Sequence, residues 1–530
     1  MVGVARTARQ MAPVALLARQ ACSRHLAVAA AVGGGAVMRG FSVRAVPGSR
    51  FSPSLNGRRN FSHSAHWRSV ATPKVDRGGS KLWESAEDAV ADIRSGSVVL
   101  SSGFGLCGVA STLIGALRNR GPESLHSLTA VSNNAGAEGR GGLALLTENG
   151  QVDRMIMSFL GPNKKLEKQY LTGKIAVELC PQGTLAERIR AAGSGIPAFF
   201  TPTGGNTLVQ EGAIPARFDA DGNVVEYGKP RETRIFDGRR YLMETALHGD
   251  VAILRAWKVD KAGNCIDPND VDLPGIFIDR IVPATESSLV EILKTRSVGE
   301  SAETKAKGDA QIRRDRIARR AAKELKDGFY VNLGVGLPTM APSFLSPDQQ
   351  VWIQSENGIL GMGDHPLPDE VDPDIINAGK ETTTLVPGAA TFDSSESFSM
   401  IRGGHVDVSI LGALQVSAAG DLANYMIPGK VFKGMGGAMD LVSNPDNTKI
   451  VVATEHVAKD GSSKIVQTCS LPLTGARVVS TIITDLCVFE VDRKRGTLTL
   501  TEVAPGVEVD EVKSKTDAAF TVAEDLRVME

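Results

Sequence analysis

One carboxylate in this chain of 530 residues stands in a setting that would make it chemically reactive. Glu356 follows a short apolar run, residues 351–353, and lies in the glycine-rich stretch 355–363, which reads SENGILGMG. Glycines let main-chain N–H groups approach a ligand closely, and a carboxylate held in such a turn loses part of its hydration. Two interpretations follow, a nucleophile for acyl transfer or an acidic turn residue hydrogen-bonded to the backbone.

Two other glycine-rich segments are candidates for ligand contact. Residues 434–440, GMGGAMD, form a second loop of nearly bare backbone. Residues 103–108, GFGLCG, satisfy the local dinucleotide-binding pattern, but the end of the next strand carries Ser-Asn-Asn where an acidic residue would hold the ribose. The pattern therefore lacks the residue that nicotinamide dinucleotide binding requires. The cysteines and histidines show no CxxC or HxxxH spacing, so we predict no metal site.

The charge of the chain is unevenly distributed. Residues 1–75 contain ten arginines and Lys74 but no acidic residue, and they are rich in alanine and serine. This composition is typical of a mitochondrial transit peptide, which predicts a location in the mitochondrial matrix; a basic tail for acidic partners is the alternative. The formal net charge of −1 predicts no nucleic-acid partner. The apolar stretch 26–37 is too short to span a bilayer, so we predict no membrane segment.

The elements that must position these residues occur twice in the same order. The first half reads as strand 98–100, the glycine loop, helix 110–117, strand 127–131 and an Asn-rich turn. The second reads as helix 310–326, strand 329–333, a GxG loop, strand 351–353 and the turn with Glu356.

This repetition predicts an α/β fold made of two related open, mostly parallel sheets flanked by helices. We place a leader at 1–75, a first domain at 79–293, a polar linker at 294–308 and a second domain at 309–528. Ligands of such sheets bind beyond the carboxyl ends of the strands. Asn133 and Glu356 fall there, at corresponding positions of the two halves.

Several blocks of the sequence, in order, resemble the family I coenzyme A transferases. Together they run from about residue 80 to residue 525, so only the leader is left out. The blocks are GFGLCG at 103–108, SNNAG at 132–136, PQGTLAER at 181–188, TPTG at 201–204, SENG at 355–358, INAGKET at 376–382, MIRGGHVD at 400–407, GDLAN at 420–424 and the segment 434–441.

The resemblance implies a chain that joins an alpha-subunit-like and a beta-subunit-like coenzyme A transferase domain. In the family, the glutamate at the place of Glu356 attacks an acyl-CoA and becomes a glutamyl-CoA thioester. The implied reaction moves CoA from succinyl-CoA to a 3-oxoacid such as acetoacetate, as in ketone body utilisation. The resemblance also implies that CoA is a substrate, that no cofactor is required and that the chain forms a homodimer.

The resemblance also implies roles for five further residues. The Gln182 side-chain amide and the Gly437 backbone N–H would stabilise the oxyanion, although a helix-start residue and a turn glycine are their structural alternatives. Asn133, Asn357 and Gly358 would line the substrate site. Where the family pattern predicts an aromatic residue after Gly204, this chain has Gly-Asn, which leaves the acceptor open. The alternatives are a transferase for acetate, propionate or butyrate and a non-catalytic CoA-binding protein.

Overall fold

The computed structural model describes residues 80–260, 271–296, 308–429 and 433–529, together with the backbone of the strands Val14–Ala18 and Val431–Phe432. Apart from the first of these strands, the predicted leader 1–75 lies outside the described residues. Most of the predicted linker 294–308 lies outside them as well. Both remain predictions.

The first half of the chain alternates strands and helices. Its strands are β1 (Val14–Ala18), β2 (Val98–Ser101), β3 (Leu128–Val131), β4 (Val152–Met157), β5 (Ala176–Leu179), β6 (Ala198–Thr201), β7 (Pro215–Phe218), β8 (Val224–Tyr227), β9 (Thr233–Phe236), β10 (Arg239–Thr245), β11 (Val251–Ala256) and β12 (Ile278–Pro283). Its helices are α1 (Ala86–Val90), α2 (Ser111–Asn119), α3 (Gly121–Ser124), α4 (Ala144–Glu148), α5 (Lys164–Leu171), α6 (Gln182–Gly193) and α7 (Leu208–Glu211), with a 3-10 turn at Gly275–Phe277.

The second half contains more strands than helices. Its strands are β13 (Tyr330–Leu333), β14 (Trp352–Ser355), β15 (Ile359–Met362), β16 (Leu385–Thr391), β17 (Val408–Leu411), β18 (Gln415–Ser417), β19 (Leu422–Ala423), β20 (Met426–Ile427), β21 (Val431–Phe432), β22 (Lys449–Ala453), β23 (Ile465–Val466), β24 (Thr481–Ile483), β25 (Cys487–Asp492), β26 (Thr497–Val503) and β27 (Phe520–Val528). Its helices are α8 (Asp309–Ala322), α9 (Ser394–Arg402), α10 (Ala438–Leu441) and α11 (Val509–Ser514), with a 3-10 helix at Leu337–Phe344.

Each half builds one large sheet around a parallel centre. The first sheet has the order β12-β1-β11-β2-β3-β4-β5, in which β11 to β5 are parallel and β1 runs antiparallel to both of its neighbours. The second has the order β16-β15-β14-β13-β17-β22-β24-β25-β26-β27, with β14 to β24 parallel and antiparallel strands on both sides. The predicted α/β class is confirmed, with mixed rather than uniformly parallel sheets.

Local sequence accounts for several of these elements. Ser85 caps α1, because its hydroxyl oxygen accepts the N–H of Asp88. All four residues of β17 are buried, as expected for a central parallel strand covered on both faces. The GxG loop of the second half leads into the 3-10 helix rather than an α-helix, since Pro342 lies inside it and lacks the N–H that an α-helix uses.

The repetition seen in the sequence is present in three dimensions. In the first half β2 lies parallel to β3, and in the second half β13 lies parallel to β14. The turns that follow β3 and β14 carry Asn133 and Glu356. In each half, the turn therefore follows the carboxyl end of the later strand of a parallel pair, β3 in the first half and β14 in the second.

The two halves share part of their core. Four residues of the second half, Tyr425, Met426, Met435 and Met439, pack into the apolar cluster of the first half. The segment that carries them contains the glycine loop 434–440. Apart from β1, which lies in the predicted leader, each large sheet is built from one half of the sequence, whereas the core crosses between the halves. Among the described helices, none is long and apolar enough to pass through a bilayer.

Candidate active site

Glu356 lies in the tight connection between β14 and β15. Its carbonyl oxygen accepts a hydrogen bond from the Ser397 hydroxyl at 2.8 Å. The Asn357 amide donates to the Ile376 carbonyl at 2.7 Å and its oxygen accepts the Ser355 hydroxyl at 2.6 Å. The turn is therefore held on two sides by hydrogen bonds, which fix the direction in which the Glu356 side chain leaves it.

The neighbouring glycine continues this turn. Gly358 has a φ of 115°, a conformation that residues with a side chain rarely adopt. Its N–H donates to the Ser355 carbonyl at 3.0 Å, and its carbonyl accepts the Phe392 N–H at 3.0 Å. Asn357 and Gly358 lie beside Glu356, and their contacts in this structure belong to the turn itself. Their role in lining the substrate site stays a prediction.

The carboxyl group of Glu356 lies against the backbone of Gly437. A Cβ atom added to Gly437 would be 2.9 Å from Cδ of Glu356 and 3.0 and 3.1 Å from its two oxygens. Only a glycine leaves room for the carboxyl group at this place. Gly437 precedes α10, and within the described residues its N–H has no hydrogen-bond acceptor. An unpaired N–H at a helix start is available to an oxyanion.

The ionisation of Glu356 is strongly perturbed. Burial of the carboxyl group, reinforced by the negative charge of Asp440, raises the pKa of Glu356 to about 7. The residue nevertheless keeps partial access to solvent. A carboxylate with a high pKa is more basic and hence more nucleophilic than an ordinary surface glutamate.

Gln182 begins α6 and approaches from the first half of the chain. Its backbone N–H donates to the Gly436 carbonyl at 3.0 Å, next to Gly437. Its side-chain oxygen accepts two hydrogen bonds, from the Asn133 amide at 2.8 Å and from the Ser158 hydroxyl at 2.6 Å. Because both donors hold the oxygen, the NH2 end of the amide is the end left to donate to a ligand.

The structure therefore brings together Glu356, Gln182 and Gly437, the three residues to which the family resemblance assigns catalytic roles. Asn133 stands behind Gln182: its amide nitrogen donates to Gln182 and Ser158, and its oxygen accepts the Asn134 amide at 2.9 Å. Its contacts orient Gln182. Asn133 is 9% exposed.

Two charged residues near this site carried no prediction. Asp440, 0% exposed, accepts hydrogen bonds from the first half of the chain. Lys380 pairs with Glu291 at 3.0 Å, and its ammonium group stands 5.8 Å from the centre of the Phe159 ring. Both lie in blocks that carry the family resemblance, and that membership was the only sequence feature that could have singled them out.

A cavity of about 600 Å³ opens at the carboxyl end of the second sheet. It reaches Ser355, directly before Glu356, and the GxG loop after β13 forms one wall. Its lining includes three basic side chains, Lys294, Arg314 and Lys464, two acidic ones, Glu381 and Glu455, and His365. Its size suits a substantial organic ligand, and its charges suit an anionic one.

The first glycine loop packs within the protein. The side chains of Glu291 and Lys380 fill the space beside Gly105. In the part of the chain that the structure describes, no group of three or more His, Cys, Asp or Glu residues is arranged to hold a metal ion.

Comparison with known proteins identifies the family. The model of the family described as coenzyme A transferase matches residues 83–266 and 314–515. The chain belongs to the coenzyme A transferase family. The two matched segments correspond to the two halves of this transferase, and the second contains both Glu356 and Gly437.

Curated relatives agree. This transferase is 44% identical over 491 residues to rat succinyl-CoA:3-ketoacid coenzyme A transferase 2A, mitochondrial, covering 86% of this chain and 93% of the relative. It is 45% identical over 488 residues to human succinyl-CoA:3-ketoacid coenzyme A transferase 2, mitochondrial, covering 85% and 92%. One subunit of the probable succinyl-CoA:3-ketoacid coenzyme A transferase of Bacillus subtilis is 56% identical over 211 residues, covering 40% of this chain and 96% of its own length.

A solved structure shows the same fold. The acyl-CoA transferase of Escherichia coli O157:H7, in a thioester complex with CoA, superposes with a TM-score of 0.63 at 21% identity, covering 86% of this chain and 96% of that one. This likeness supports the arrangement of two sheets.

A single added methyl group tests the contact between Glu356 and Gly437. We expect Gly437→Ala to leave the thermal unfolding temperature nearly unchanged, because the atoms it meets are at the flexible end of a side chain. The displaced carboxyl group should nevertheless cost about 100-fold in kcat, the typical effect of a misplacement near 1 Å. Steady-state kinetics and calorimetry measure both. Gly436 has a positive φ of 52°, and a Cβ atom added there meets open space. Gly436→Ala therefore measures the cost of backbone strain without a steric contact and serves as the comparison. Equal losses for the two variants would contradict the steric explanation.

Proposed function

We propose that this transferase moves CoA from succinyl-CoA to a 3-oxoacid such as acetoacetate through a glutamyl-CoA thioester on Glu356. The single observation that carries the proposal is the Glu356 carboxyl group against the Gly437 backbone, with Gln182 held beside the same loop. The names of the rat and human relatives support the choice of substrates.

Every covalent step exchanges one acyl bond for another. The Glu356 carboxylate attacks the thioester carbonyl of succinyl-CoA, and CoA leaves as the thiolate, which gives a mixed anhydride. The thiolate then attacks the Glu356 carbonyl, succinate leaves, and Glu356 carries CoA as a thioester. Acetoacetate repeats these steps in reverse order and leaves as acetoacetyl-CoA. The bonds formed and broken are of similar energy, so no ATP is consumed, and ping-pong kinetics follow.

Each attack creates a tetrahedral oxyanion that needs hydrogen-bond donors. We propose the Gln182 NH2 group and the Gly437 N–H for this role, since neither is used by a protein acceptor within the described residues. Asn133, Asn357 and Gly358 then act as neighbours that orient the amide and the turn.

The basic cavity next to Ser355 is the proposed place for CoA. It begins one residue from the nucleophile, and Arg314 and Lys464 in its lining are candidate partners for the phosphate groups of CoA. Binding the remote part of CoA there would supply energy that is used at the thioester.

The thioester intermediate can be trapped, and its formation should depend on pH. Incubation with succinyl-CoA alone, followed by borohydride, should reduce the modified Glu356 to an alcohol that peptide mass spectrometry detects. Because only the ionised carboxylate attacks and the pKa of Glu356 is raised to about 7, the rate of trapping should rise as pH increases through that value. A mass change on another residue, or a rate that is flat between about pH 5.5 and 8, would contradict the proposal.

The acceptor profile distinguishes this function from its alternatives. Initial rates with succinyl-CoA and a series of acceptors separate a 3-oxoacid transferase from one that uses acetate, propionate or butyrate. Loss of thioester without any acceptor would indicate a hydrolase. A non-catalytic CoA-binding protein would bind CoA without turnover.

Cellular location and assembly are proposed on the relatives and the resemblance. The rat and human relatives are named as mitochondrial, and we propose the mitochondrial matrix for this chain. Cleavage of a leader ending near residue 75 would remove β1, which pairs with β11 on one side and β12 on the other. The position of the mature amino terminus therefore decides whether this strand is part of the first sheet. The homodimer remains a prediction.

A further inference from the structure

The Asp440 carboxylate is fully buried where the two halves of the chain meet. It lies in α10, one helical turn after Gly437. One oxygen accepts the Gly183 N–H at 2.9 Å, and the other accepts the Thr203 hydroxyl at 2.9 Å. Both donors belong to the first half, whereas Asp440 belongs to the second.

A cation from the second half faces this carboxylate. Arg402, the last residue of α9, places Nη1 3.6 Å from an Asp440 oxygen and Nη2 4.0 Å from Glu187 of α6. Burial raises the pKa of Asp440, and the guanidinium group and the two hydrogen-bond donors oppose that rise because they favour the ionised form. A buried charge that is compensated in this way costs far less than an isolated one.

The contact of Asp440 with the start of α6 requires a glycine at position 183. A Cβ atom on Gly183 would lie 2.5 Å from an Asp440 oxygen and 2.6 Å from Nη1 of Arg402. Any side chain at position 183 would therefore push the carboxylate and the guanidinium away. The close approach depends on the bare backbone at the start of α6.

The residues that Asp440 holds lead directly to the oxyanion site. Gln182 precedes Gly183, and its own N–H donates to the Gly436 carbonyl. Two consecutive N–H groups of α6 are thus anchored on the loop 434–440, which also contacts the Glu356 carboxyl group.

We propose that Asp440 is a positioning residue for CoA transfer. It holds the start of α6, and with it the Gln182 amide, against the loop that faces Glu356. Asp440 also lies three residues after Gly437, whose backbone contacts the Glu356 carboxyl group, so the ionised form of Asp440 opposes the charge of the free nucleophile. Acylation converts Glu356 from an anion to a neutral acyl group, so this repulsion disappears when the intermediate forms. The inference rests on the proposed function, since it assumes that Glu356 is the nucleophile.

The charge component is tested by Asp440→Asn, through the pH dependence of trapping with succinyl-CoA and borohydride. Removal of the neighbouring negative charge stabilises the Glu356 anion, so the midpoint of the rise should move to lower pH. The plateau rate should fall about 10- to 100-fold, because the asparagine nitrogen cannot accept the hydrogen bond it replaces and Gln182 shifts. An unchanged midpoint together with a plateau within about threefold of the original would overturn the proposal.

The positioning component is tested without any change of charge. Thr203→Val removes one hydrogen bond to Asp440, whereas Thr203→Ser keeps it. We expect the valine variant to lose several-fold in kcat with an unchanged KM and an unchanged pH midpoint, and the serine variant to recover the rate. Equal rates for all three proteins would refute the positioning role, and this pair remains informative if Asp440→Asn fails to fold.

The control is Asp446→Asn, an aspartate whose side chain is 76% exposed and pairs with Arg493 at the surface. It should match the unaltered protein in both midpoint and rate. Failure of the unaltered protein to form a thioester on Glu356 would reject the proposed function. A thioester in the unaltered protein with no effect of Asp440→Asn or Thr203→Val would reject the inference alone.

Discussion

Glu356→Gln should abolish CoA transfer while leaving the protein folded and able to bind CoA. The amide has the size of the carboxylate but is a poor nucleophile, so neither the anhydride nor the thioester can form. Loss of a covalent nucleophile can lower kcat by about 10⁶, and we expect a loss on the order of 10⁴ or more here. Initial rates of acetoacetyl-CoA formation measure it.

The substitution should leave binding intact because the contacts that hold the turn come from its neighbours. The Ser397 hydroxyl bonds the backbone carbonyl of Glu356, and Asn357 bonds the carbonyl of Ile376. Affinity for CoA, measured by calorimetry, should therefore change little. Glu524→Gln, on the exposed face of β27, provides the matched control and should retain full activity. A Glu356→Gln protein that exchanges CoA at the normal rate would disprove covalent catalysis at this residue.

Gln182→Ala should lower kcat by about 10² to 10³ with little change in KM, the typical effect of losing one oxyanion donor. The tetrahedral oxyanion exists only in the transition state and the intermediate, so its donor contributes to kcat rather than to ground-state binding. The backbone N–H of Gln182 and its bond to Gly436 remain in the variant.

Ser158→Ala distinguishes the proposed oxyanion donor, the Gln182 amide, from the residues that orient it. It removes one of the two hydrogen bonds that hold the Gln182 oxygen and leaves the bond from Asn133. We expect a loss of about tenfold, clearly smaller than that of Gln182→Ala, if the amide itself donates to the oxyanion. A greater loss for Ser158→Ala, or a Gln182→Ala rate within about threefold of the original, would assign the donor role elsewhere. Thermal unfolding should show that both variants are folded.

The sequence by itself determined the nucleophile's surroundings, because those surroundings are local. The apolar strand, the glycines around Glu356 and the repeated order of elements lie within short stretches of chain, and hydrophobic patterning and turn chemistry act over such distances. The same holds for the cap at Ser85. The family resemblance then supplied Gln182 and Gly437, which the chain spacing alone leaves unrelated.

Only the tertiary structure shows which residues of the two halves contact each other. Asp440 and Gly183 are separated by 257 positions along the chain and share a hydrogen bond, and Lys380 meets Glu291 across 89 positions. Asn133, which stands opposite Glu356 in the repeat, orients Gln182 through its amide. The sequence around a buried carboxylate does not show which distant residues it will contact. The hydrogen bonds that Asp440 accepts from Gly183 and Thr203 arise only when the two halves pack.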